Sequence, residues 1–381
     1  MRKITILFIL FILLSSSTLV LSKEIILNNQ EYHNEQKIIS NSENIMNFLI
    51  KIDRFLGRLN IFTQKDFFDN FFFSPEDIEL NDDAFHGSDS LHFTEWWYFD
   101  SVFDNGYSVQ IGIRIVGLIN QGLIHVRLDI YKDGKLISHE IEPYILWDVF
   151  TSKEIPLVEL NGRKIMEGYI DNSTGKWIYN LNIQLNKASA KLIFTGCTKG
   201  WKGVTPGGKW AVILPRANVK GIITYNNNTV NVEGIGYHDH NWDVTLFTGI
   251  NFGWHWGKMN SESYTITWAK ILTTRFWGQP LLVINEKDGD YINIESENIN
   301  LQITEYTINQ GMLVPNEFII EANERNVSIH IDMEVIDIHH VRWVGIINYW
   351  RYHMQCSGYI TIGDVIEPID QIEITEFIRF R

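Results

Sequence analysis

The sequence has little cysteine, no run of basic residues and no phosphate-binding loop, and each absence narrows the classes of protein to consider. Two residues of 381 are cysteine, Cys197 and Cys356, and neither has the spacing of a metal motif. Outside the cell they would be able to pair, and two buried free thiols are the equal alternative. The net charge of −14, without any Lys/Arg block, argues against nucleic acid as a partner.

The familiar catalytic motifs are also missing. The chain contains no Gly-rich phosphate loop, no G-x-S-x-G elbow, no H-E-x-x-H and no paired C-x-x-C. No strand–helix–strand rhythm occurs either, which argues against a parallel α/β fold. Any chemistry must therefore come from a less familiar arrangement of residues.

The first 22 residues have the layout of an export signal. Arg2 and Lys3 form a short basic region, and Ile4–Leu14 is apolar. The alternative is an uncleaved anchor, because Ile4–Leu21 approaches the roughly 20 apolar residues that span a bilayer. We therefore expect an exported protein, extracellular or at the cell surface, either free or held by this segment.

Residues 23–83 are predicted to form a lead-in that contains one amphipathic helix over residues 44–60. Its apolar stripe follows helical spacing, at Ile45, Phe48, Leu49, Ile52, Phe55, Leu56 and Leu59. Ser42 is placed to cap the helix. The stripe predicts a helix that packs on the protein body, and the alternative is a helix that contacts a membrane surface.

From about Glu95 the hydrophobic period is two, which predicts β-strands. Val109, Ile111 and Ile113 alternate with polar residues or glycine after the hairpin signal Asp104-Asn105-Gly106. Further β-rich segments follow at residues 124–130, 177–183, 191–196, 219–225, 230–240, 264–269, 281–284, 291–294, 316–322, 327–335, 350–362 and 372–380.

These segments predict an all-β protein made of two antiparallel β-barrel domains. Closing each meander into a barrel would remove the sheet edges and enclose a cavity. The length favours two domains, which we place at residues 84–248 and 249–381. The boundary lies near Phe247–Gly253.

Two segments concentrate aromatic and ionisable residues and are the candidate site. The first is Glu95-Trp96-Trp97-Tyr98-Phe99-Asp100, and the second is Gly234–Asp243 with Phe252–Trp256 behind it. Apolar walls that carry a few ionisable groups are typical of a ligand pocket. We expect the fold to bring the two segments together, and the alternative is a tight joint between domains whose polar groups satisfy one another.

On a regular strand His238 and His240 point to one face and Asp239 to the other. All three face one lumen only if the strand contains a bulge or ends there. Gly234 and Gly236 would permit a bulge, or would mark a close approach of another strand.

A metal site is a weaker alternative for the same residues. His238 and His240, joined by His255 or a carboxylate, would resemble a three-ligand zinc site with one open position. The His339-His340 pair is a poorer candidate, because adjacent residues of a strand face opposite sides.

Glu95 precedes two tryptophans, and this setting would raise its pKa and suit a general acid. The equal alternative is a carboxylate that accepts hydrogen bonds from an indole N–H or an arginine. Arg351, on a predicted strand of the second barrel, is interpreted as a structural ion-pair partner.

Four motifs in order carry a family resemblance: EWWYFD, GYHDHNWD, FGWHWG and YWRYHMQCSGYI followed by EFIRF. From about Phe85 onwards the chain resembles the carotenoid 1,2-hydratase (hydroxyneurosporene synthase) and AttH-like superfamily, with remoter likeness to Diels–Alderases and tocopherol cyclase. The resemblance implies two lipocalin-like barrels. It maps the D-H-x-W-G segment of the hydratases onto Asp239, His240 and Trp242, with Asp243 in place of the family glycine.

The resemblance implies acid-catalysed addition of water to an isoprenoid alkene, without organic cofactor or metal. Asp239 or Glu95 would be the acid, with His240 as its partner and His238 beside it. An aromatic wall would stabilise the cation and is expected to comprise Trp96, Trp97, Tyr98, Tyr237, Trp242, Trp254, Trp256 and Trp268. The competing class is a non-catalytic lipocalin-like carrier of a lipophilic small molecule.

Overall fold

The computed structural model describes residues 73–88, 92–118, 121–145, 148–244, 253–272, 278–343 and 347–379. Apart from Trp343, these residues belong to one compact unit. The predicted export signal and the predicted helix over residues 44–60 lie outside the described residues. None of the helices in the described part of the chain is long and apolar enough to span a membrane.

The first 13 strands form one antiparallel sheet. They are β1 (Glu76–Asp77), β2 (His92–Phe103), β3 (Tyr107–Leu118), β4 (Gln121–Lys132), β5 (Lys135–Ile145), β6 (Val149–Thr151), β7 (Leu157–Leu160), β8 (Arg163–Ile170), β9 (Trp177–Gln184), β10 (Ala188–Gly196), β11 (Trp201–Thr205), β12 (Gly208–Tyr225) and β13 (Asn228–Val244). Their order is β5-β4-β3-β2-β13-β12-β10-β9-β8-β7-β6, and β11 pairs with β1 and β12. A short 3-10 helix, η1 (Leu80–Asp83), follows β1.

The last nine strands form a second antiparallel sheet. They are β14 (Gly253–Asn260), β15 (Tyr264–Leu272), β16 (Gly278–Glu286), β17 (Tyr291–Ile294), β18 (Ile299–Asn309), β19 (Met312–Glu324), β20 (Val327–Trp343), β21 (Ile347–Ile362) and β22 (Val365–Arg379). Their order is β17-β16-β15-β14-β22-β21-β20-β19-β18. One more 3-10 helix, η2 (Ser296–Asn298), precedes β18.

The predicted all-β class is confirmed, and both sheets curl around a core of their own. Alternate residues of β3, Val109, Ile111 and Ile113, are fully buried in the first core, as the period of two predicts. The second core is built in the same way, around Trp350 and Met354 of β21.

The two sheets close into barrels less completely than predicted. The first sheet is nearly a barrel and the second is a half-barrel, and among the described residues no ladder joins the end strands of either sheet. Side chains fill the second core, so its apolar face is buried without closing the ring. The chain passes from one sheet to the other between Val244 and Gly253. The predicted boundary at 248/249 therefore lies outside the described residues, and the two-domain division stays a prediction.

The two cysteines do not pair. Cys197 and Cys356 are both free and buried. The alternative of two buried thiols is therefore confirmed.

Candidate functional site

The two aromatic and acidic segments meet, as the sequence predicted. Strands β2 and β13 pair antiparallel, with Tyr98 opposite Asp239 and Trp97 opposite His240. Gly236 permits this close approach, because a Cβ there would lie 2.7 Å from the backbone oxygen of Asp100.

The two faces of β13 carry different chemistry. Its ladder with β2 runs from Gly234 to Asn241 without a register shift, so side chains alternate strictly. His238 and His240 point into the first core, and Asp239 points towards the second sheet. The three side chains therefore do not share one lumen, as regular alternation predicts. The glycines permit close packing, and the ladder with β2 has no bulge before Asn241.

A buried group of ionisable residues fills the inner face, and we call Asp83, Glu95, Tyr179, His238 and His240 the inner cluster. His238 Nε2 lies 2.9 Å from Asp83 Oδ2, and its Nδ1 lies 2.9 Å from the backbone oxygen of Tyr98. Tyr179 donates its hydroxyl to the same Asp83 oxygen. Both nitrogens of His238 thus face acceptors, an arrangement that a doubly protonated ring satisfies.

Glu95 completes the inner cluster as an acceptor. Its two oxygens receive the backbone N–H groups of His86 and Gly87, each at 2.9 Å. Its Oε1 also lies 3.0 Å from His240 Nε2. Burial disfavours the charged imidazole, but this hydrogen bond and the charge of Asp83 outweigh it and raise the pKa of His240.

The role of Glu95 as a protonated acid is therefore not supported, because three donors hold its carboxylate. The predicted alternative of a carboxylate acceptor is the one found, although its donors are backbone and His240 instead of indole or arginine. Glu95 and Asp239 also lie on opposite faces of the sheet, so they do not form one acid pair.

Two of the histidines considered for a metal site have oxygen atoms as their neighbours. His240 Nδ1 lies 3.1 Å from the backbone oxygen of Asp82, so both nitrogens of each ring face oxygen atoms. His255 lies elsewhere, in the second sheet, where its ring contacts Phe318 and Phe377. Within the described ranges no three His, Cys, Asp or Glu side chains are grouped to hold a metal ion.

Three predicted wall residues do not face Asp239. Trp97 donates its indole N–H to the Asp83 backbone oxygen at 2.9 Å. Trp242 stacks on His86 at 4.2 Å, on the inner face. Trp268 is buried in the second core. The alternation of strand residues directs these indoles inwards, where they serve packing.

The other face of β13 meets the second sheet and forms what we call the inter-sheet layer. Its members are buried or half-buried and come from both sheets: Trp96, Tyr98, Asp100, Trp210, Tyr237, Asp239, Trp254, Trp256, Lys258, Tyr349, Arg351, Glu373 and Glu376. Five of the predicted aromatic residues lie here. Trp256 packs on Tyr237 at 4.9 Å and on Tyr98 at 5.5 Å, and Trp96 stacks parallel to Trp254 at 6.3 Å.

Each cation of the layer has carboxylate partners. Lys258 Nζ lies 3.0 Å from Asp100 Oδ1 and 2.7 Å from Glu373 Oε2. Arg351 Nη2 lies 3.2 Å from Glu376 Oε2, and its other terminal nitrogen donates to the Tyr98 hydroxyl. The predicted role of Arg351 as an ion-pair partner is therefore found.

Asp239 differs, because the hydrogen bonds to its carboxyl come from neutral groups. Tyr237 OH and Trp210 Nε1 donate to Oδ2 at 2.8 and 3.0 Å, and Asn241 Nδ2 lies 3.2 Å from Oδ1. Burial raises the pKa of Asp239 to about 8 against the lowering effect of the Tyr237 and Trp210 hydrogen bonds, and the nearby charge of Glu376 adds to the rise. The group is therefore mainly protonated at neutral pH.

The layer has two buried donors without an acceptor and a side open to solvent. Within the described part of the chain, neither Trp256 Nε1 nor Arg351 Nε has a hydrogen-bond partner. A buried N–H without a partner costs about 1–3 kcal/mol, which an acceptor atom of a ligand or water would recover. Asn241, Trp96 and Trp254 are half-buried, so the approach to Asp239 is from their side.

Sequence reasoning missed Lys258, Glu373 and Glu376 as members of this layer. Glu376 lies in EFIRF, part of the resemblance, and its Oε1 accepts the indole N–H of Trp254 at 2.7 Å. Lys258 is the one Lys, Arg, Asp or Glu residue of β14, which was an available signal, whereas Glu373 and Glu376 lie in a strand with several charged residues. Trp210 gave none, because one tryptophan in a β-rich segment is ordinary core composition.

Asp243 occupies a backbone conformation that glycine favours. Asp243 has φ of +56°, in the left-handed region, at a register shift of β13 after Asn241. Asp is among the few other residues that enter this region readily. Its carboxylate pairs with Lys209 at 3.2 Å.

The fold is shared with solved AttH-like structures. A protein from Nitrosomonas europaea, provisionally assigned as AttH, superposes with a TM-score of 0.61 at 14% identity, over 79% of this chain and 96% of that one. CghA, solved with Sch210972, gives a TM-score of 0.55 at 8% identity, over 76% and 89%. No family model and no curated protein matches the sequence. The chain therefore has the AttH-like fold, and the hydratase branch of the resemblance is a matter for proposal.

Proposed function

We propose that the protein is a hydratase- or cyclase-type enzyme that protonates an alkene of a lipophilic, isoprenoid substrate, with Asp239 as the acid. The observation that carries the proposal is the buried Asp239 carboxyl, whose hydrogen-bond donors are neutral and whose pKa is raised to about 8. A general acid works best when its pKa lies near the working pH.

The reaction begins with transfer of the Asp239 proton to one alkene carbon. The π electrons form the new C–H bond, and the positive charge develops on the more substituted carbon. Tyr237 donates its hydroxyl to the acid, and its ring packs on Trp256 at 4.9 Å. Each ring would stabilise a cation held against its face by about 0.5–2 kcal/mol. Tyr237 and Trp210 keep their hydrogen bonds to the carboxylate that remains.

Water then adds to the cation and returns a proton to Asp239. The oxygen forms the new C–O bond, and the acid is regenerated, so no other reagent is consumed. The unpartnered N–H of Trp256 is suited to hold the oxygen of that water. If a second alkene of the substrate reaches the cation first, the product is a ring, and loss of a proton to Asp239 ends the reaction.

The test compares Asp239→Asn with Asp243→Asn in the purified full-length protein. Lipid extracts that co-purify with the protein are identified by native mass spectrometry, and the polyenes found are incubated in H₂¹⁸O. The wild type should give products with added ¹⁸O or a changed ring count. We expect Asp239→Asn to lower the rate by about 10²–10⁴, and Asp243→Asn, four residues along the same strand, to keep it.

The same experiment separates the enzyme from the carrier. Wild-type protein that retains a polyene for days without any change in its mass is a binder. Equal rates in wild type and Asp239→Asn would show that another group supplies the proton. Export, and contact of residues 44–60 with the membrane that holds such substrates, are further parts of the proposal. Both are checked by locating the mature protein in fractionated cells.

A further inference from the structure

Two histidines from different sheets meet outside both the inner cluster and the inter-sheet layer. His139 lies on β5 and His339 on β20, and their ring centroids are 5.5 Å apart with the planes at 79°. His340, the neighbour that sequence reasoning considered with His339, points the other way, and its Nε2 lies 3.1 Å from Asn348 Oδ1. The partner of His339 is therefore 200 residues away in the chain, beyond any local motif.

One nitrogen of each ring is held by a buried side chain. His139 Nδ1 lies 2.6 Å from Asp129 Oδ1, and His339 Nδ1 lies 3.0 Å from the Tyr131 hydroxyl. Asp129 and Tyr131 are fully buried, and that hydroxyl is 3.4 Å from Asp129 Oδ2. Asp129 and Tyr131 thus contact each other and hold the Nδ1 atoms of both rings. The Nε2 atom of each ring is the nitrogen that these two residues do not hold.

The exposure of these rings lets an ion reach them. The His139 side chain is 36% exposed and His339 is half-buried, so an ion arrives from solvent. When His339 Nδ1–H faces the Tyr131 hydroxyl, the lone pair of its Nε2 is directed away from that partner. A carboxylate on Nδ1, as His139 has, is the arrangement that orients histidine ligands of metals.

The distance between the rings fits a single ion. With metal–nitrogen bonds of about 2.0–2.1 Å, two imidazoles on one tetrahedral cation have centroids roughly 5 Å apart. We propose that His139 and His339 form a two-histidine site for a divalent transition-metal cation that prefers imidazole, Cu²⁺ or Zn²⁺. In the described residues no third protein ligand completes the group, so water fills the other positions.

The site has a consequence for stability, because its two ligands come from the two sheets. A cation that binds only the folded protein stabilises it by mass action. Metal at this position would therefore tie β5 to β20 and raise the melting temperature, whatever the activity of the protein.

The test uses the full-length protein, freed of metal by a chelator and given one equivalent of Cu²⁺. Electron paramagnetic resonance should show coupling to two imidazole nitrogens. We expect His339→Gln and His139→Gln each to reduce this to one nitrogen or to abolish binding. His330→Gln is the matched control, because His330 is also a partly exposed histidine of β20 beside carboxylates, Glu321 and Asp332.

A separate titration of the metal-free protein with Zn²⁺ should raise the melting temperature of the wild type and of His330→Gln, and leave those of His139→Gln and His339→Gln unchanged. Near-ultraviolet circular dichroism checks the fold of each variant. If His139→Gln does not fold, His339→Gln alone is enough to test the site, because His339 bonds to the Tyr131 hydroxyl and not to Asp129. Absence of stoichiometric copper binding, an unchanged two-nitrogen signal in both variants, or its loss in His330→Gln would overturn the proposal.

Discussion

The two faces of β13 meet carboxyl groups with different partners. On the inner face, Asp83 and Glu95 lie against His238 and His240. On the outer face Asp239, one residue away from either histidine, receives only neutral donors, and burial raises its pKa to about 8. The groups that meet a buried carboxyl therefore bear on its protonation together with burial itself. We call the face with His238 and His240 the paired face and the face with Asp239 the unpaired face.

Removal of a buried acceptor should destabilise the paired face. Asp83→Asn replaces the buried oxygen that accepts the Tyr179 hydroxyl and faces His238 Nε2, so one of these buried groups loses its acceptor. The free energy of unfolding should fall by about 1–3 kcal/mol. Urea denaturation measures it, with the exposed turn residue Asp133→Asn as control. Equal stability of wild type and Asp83→Asn would show that this contact does not stabilise the fold.

On the unpaired face, the corresponding substitution Asp239→Asn should raise the free energy of unfolding instead of lowering it. Unfolded Asp239 ionises near 3.8 and folded Asp239 at about 8, so between these values only the folded state keeps the proton. Wild-type stability therefore falls as pH rises from 4 to 8. Asp239→Asn has no ionisable group at this position and lacks this loss. The difference in free energy of unfolding between Asp239→Asn and the wild type should therefore grow by up to about 1.4 kcal/mol per pH unit. Denaturation at pH 5, 6, 7 and 8 measures it, and parallel pH curves for the two proteins would refute the protonated acid.

Reaction rate gives the matching measurement for the same group. A general acid works only while protonated, so turnover should decline above about pH 8 as Asp239 ionises. The descending limb should disappear in Asp239→Asn together with most of the rate. A limb that stays in Asp243→Asn and moves in Tyr237→Phe, which removes one hydrogen bond to the carboxylate, would assign it to Asp239.

An effect of similar size tests how tightly the inner face is packed. Gly236→Ala places a Cβ within 2.6 Å of Phe194 and Val219 and 2.7 Å from a backbone oxygen of β2. The strand cannot move away without breaking its ladder, so we expect a loss of about 1–3 kcal/mol. Gly207→Ala is the control, since its nearest neighbour is a Thr205 oxygen at 3.6 Å. Equal stability of both variants would mean that the inner face has room for a guest.

The smallest effect on stability is expected at Asp243, which stands where the resembled D-H-x-W-G motif has a glycine. Asp243→Ala keeps a Cβ at φ of +56° and loses the local polar contacts that make this conformation tolerable for Asp, whereas Asp243→Gly removes the Cβ. The glycine variant should be more stable than the alanine variant by about 1 kcal/mol, measured by thermal unfolding. If alanine is the more stable of the two, the left-handed conformation is not present in solution.

The alternating side chains of β13 show which features of the site the sequence predicts and which it does not. Period two located the strands and predicted that Asp239 and His238 face opposite sides, because alternation is a local property of a strand. The same pattern does not say which face meets the second sheet, so Glu95 and Asp239 were assigned to one pocket. Their separation depends on the pairing of β2 with β13 in one particular register, which is a long-range property.

The residues that contact the candidate site residues were harder to predict than the site residues themselves. Lys258 reaches Asp100 across 158 residues, and no spacing rule connects residues on different sheets. Asp83 lies in a stretch whose composition indicated only a polar lead-in, although its side chain holds His238. Short motifs therefore led to the candidate side chains, and the groups that contact them came from elsewhere in the chain.

The 3-10 helix η1 determines where a recombinant form of the protein can begin. Trimming to residue 84, the predicted start of the first barrel, would delete the Asp82 and Asp83 groups that face the two imidazoles. Such a truncated chain would lose β1 and these groups and would retain only β2 to β22. A shortened recombinant chain therefore needs to begin before β1, and a protease that cuts between η1 and β2 would separate these groups from the strand that carries the imidazoles.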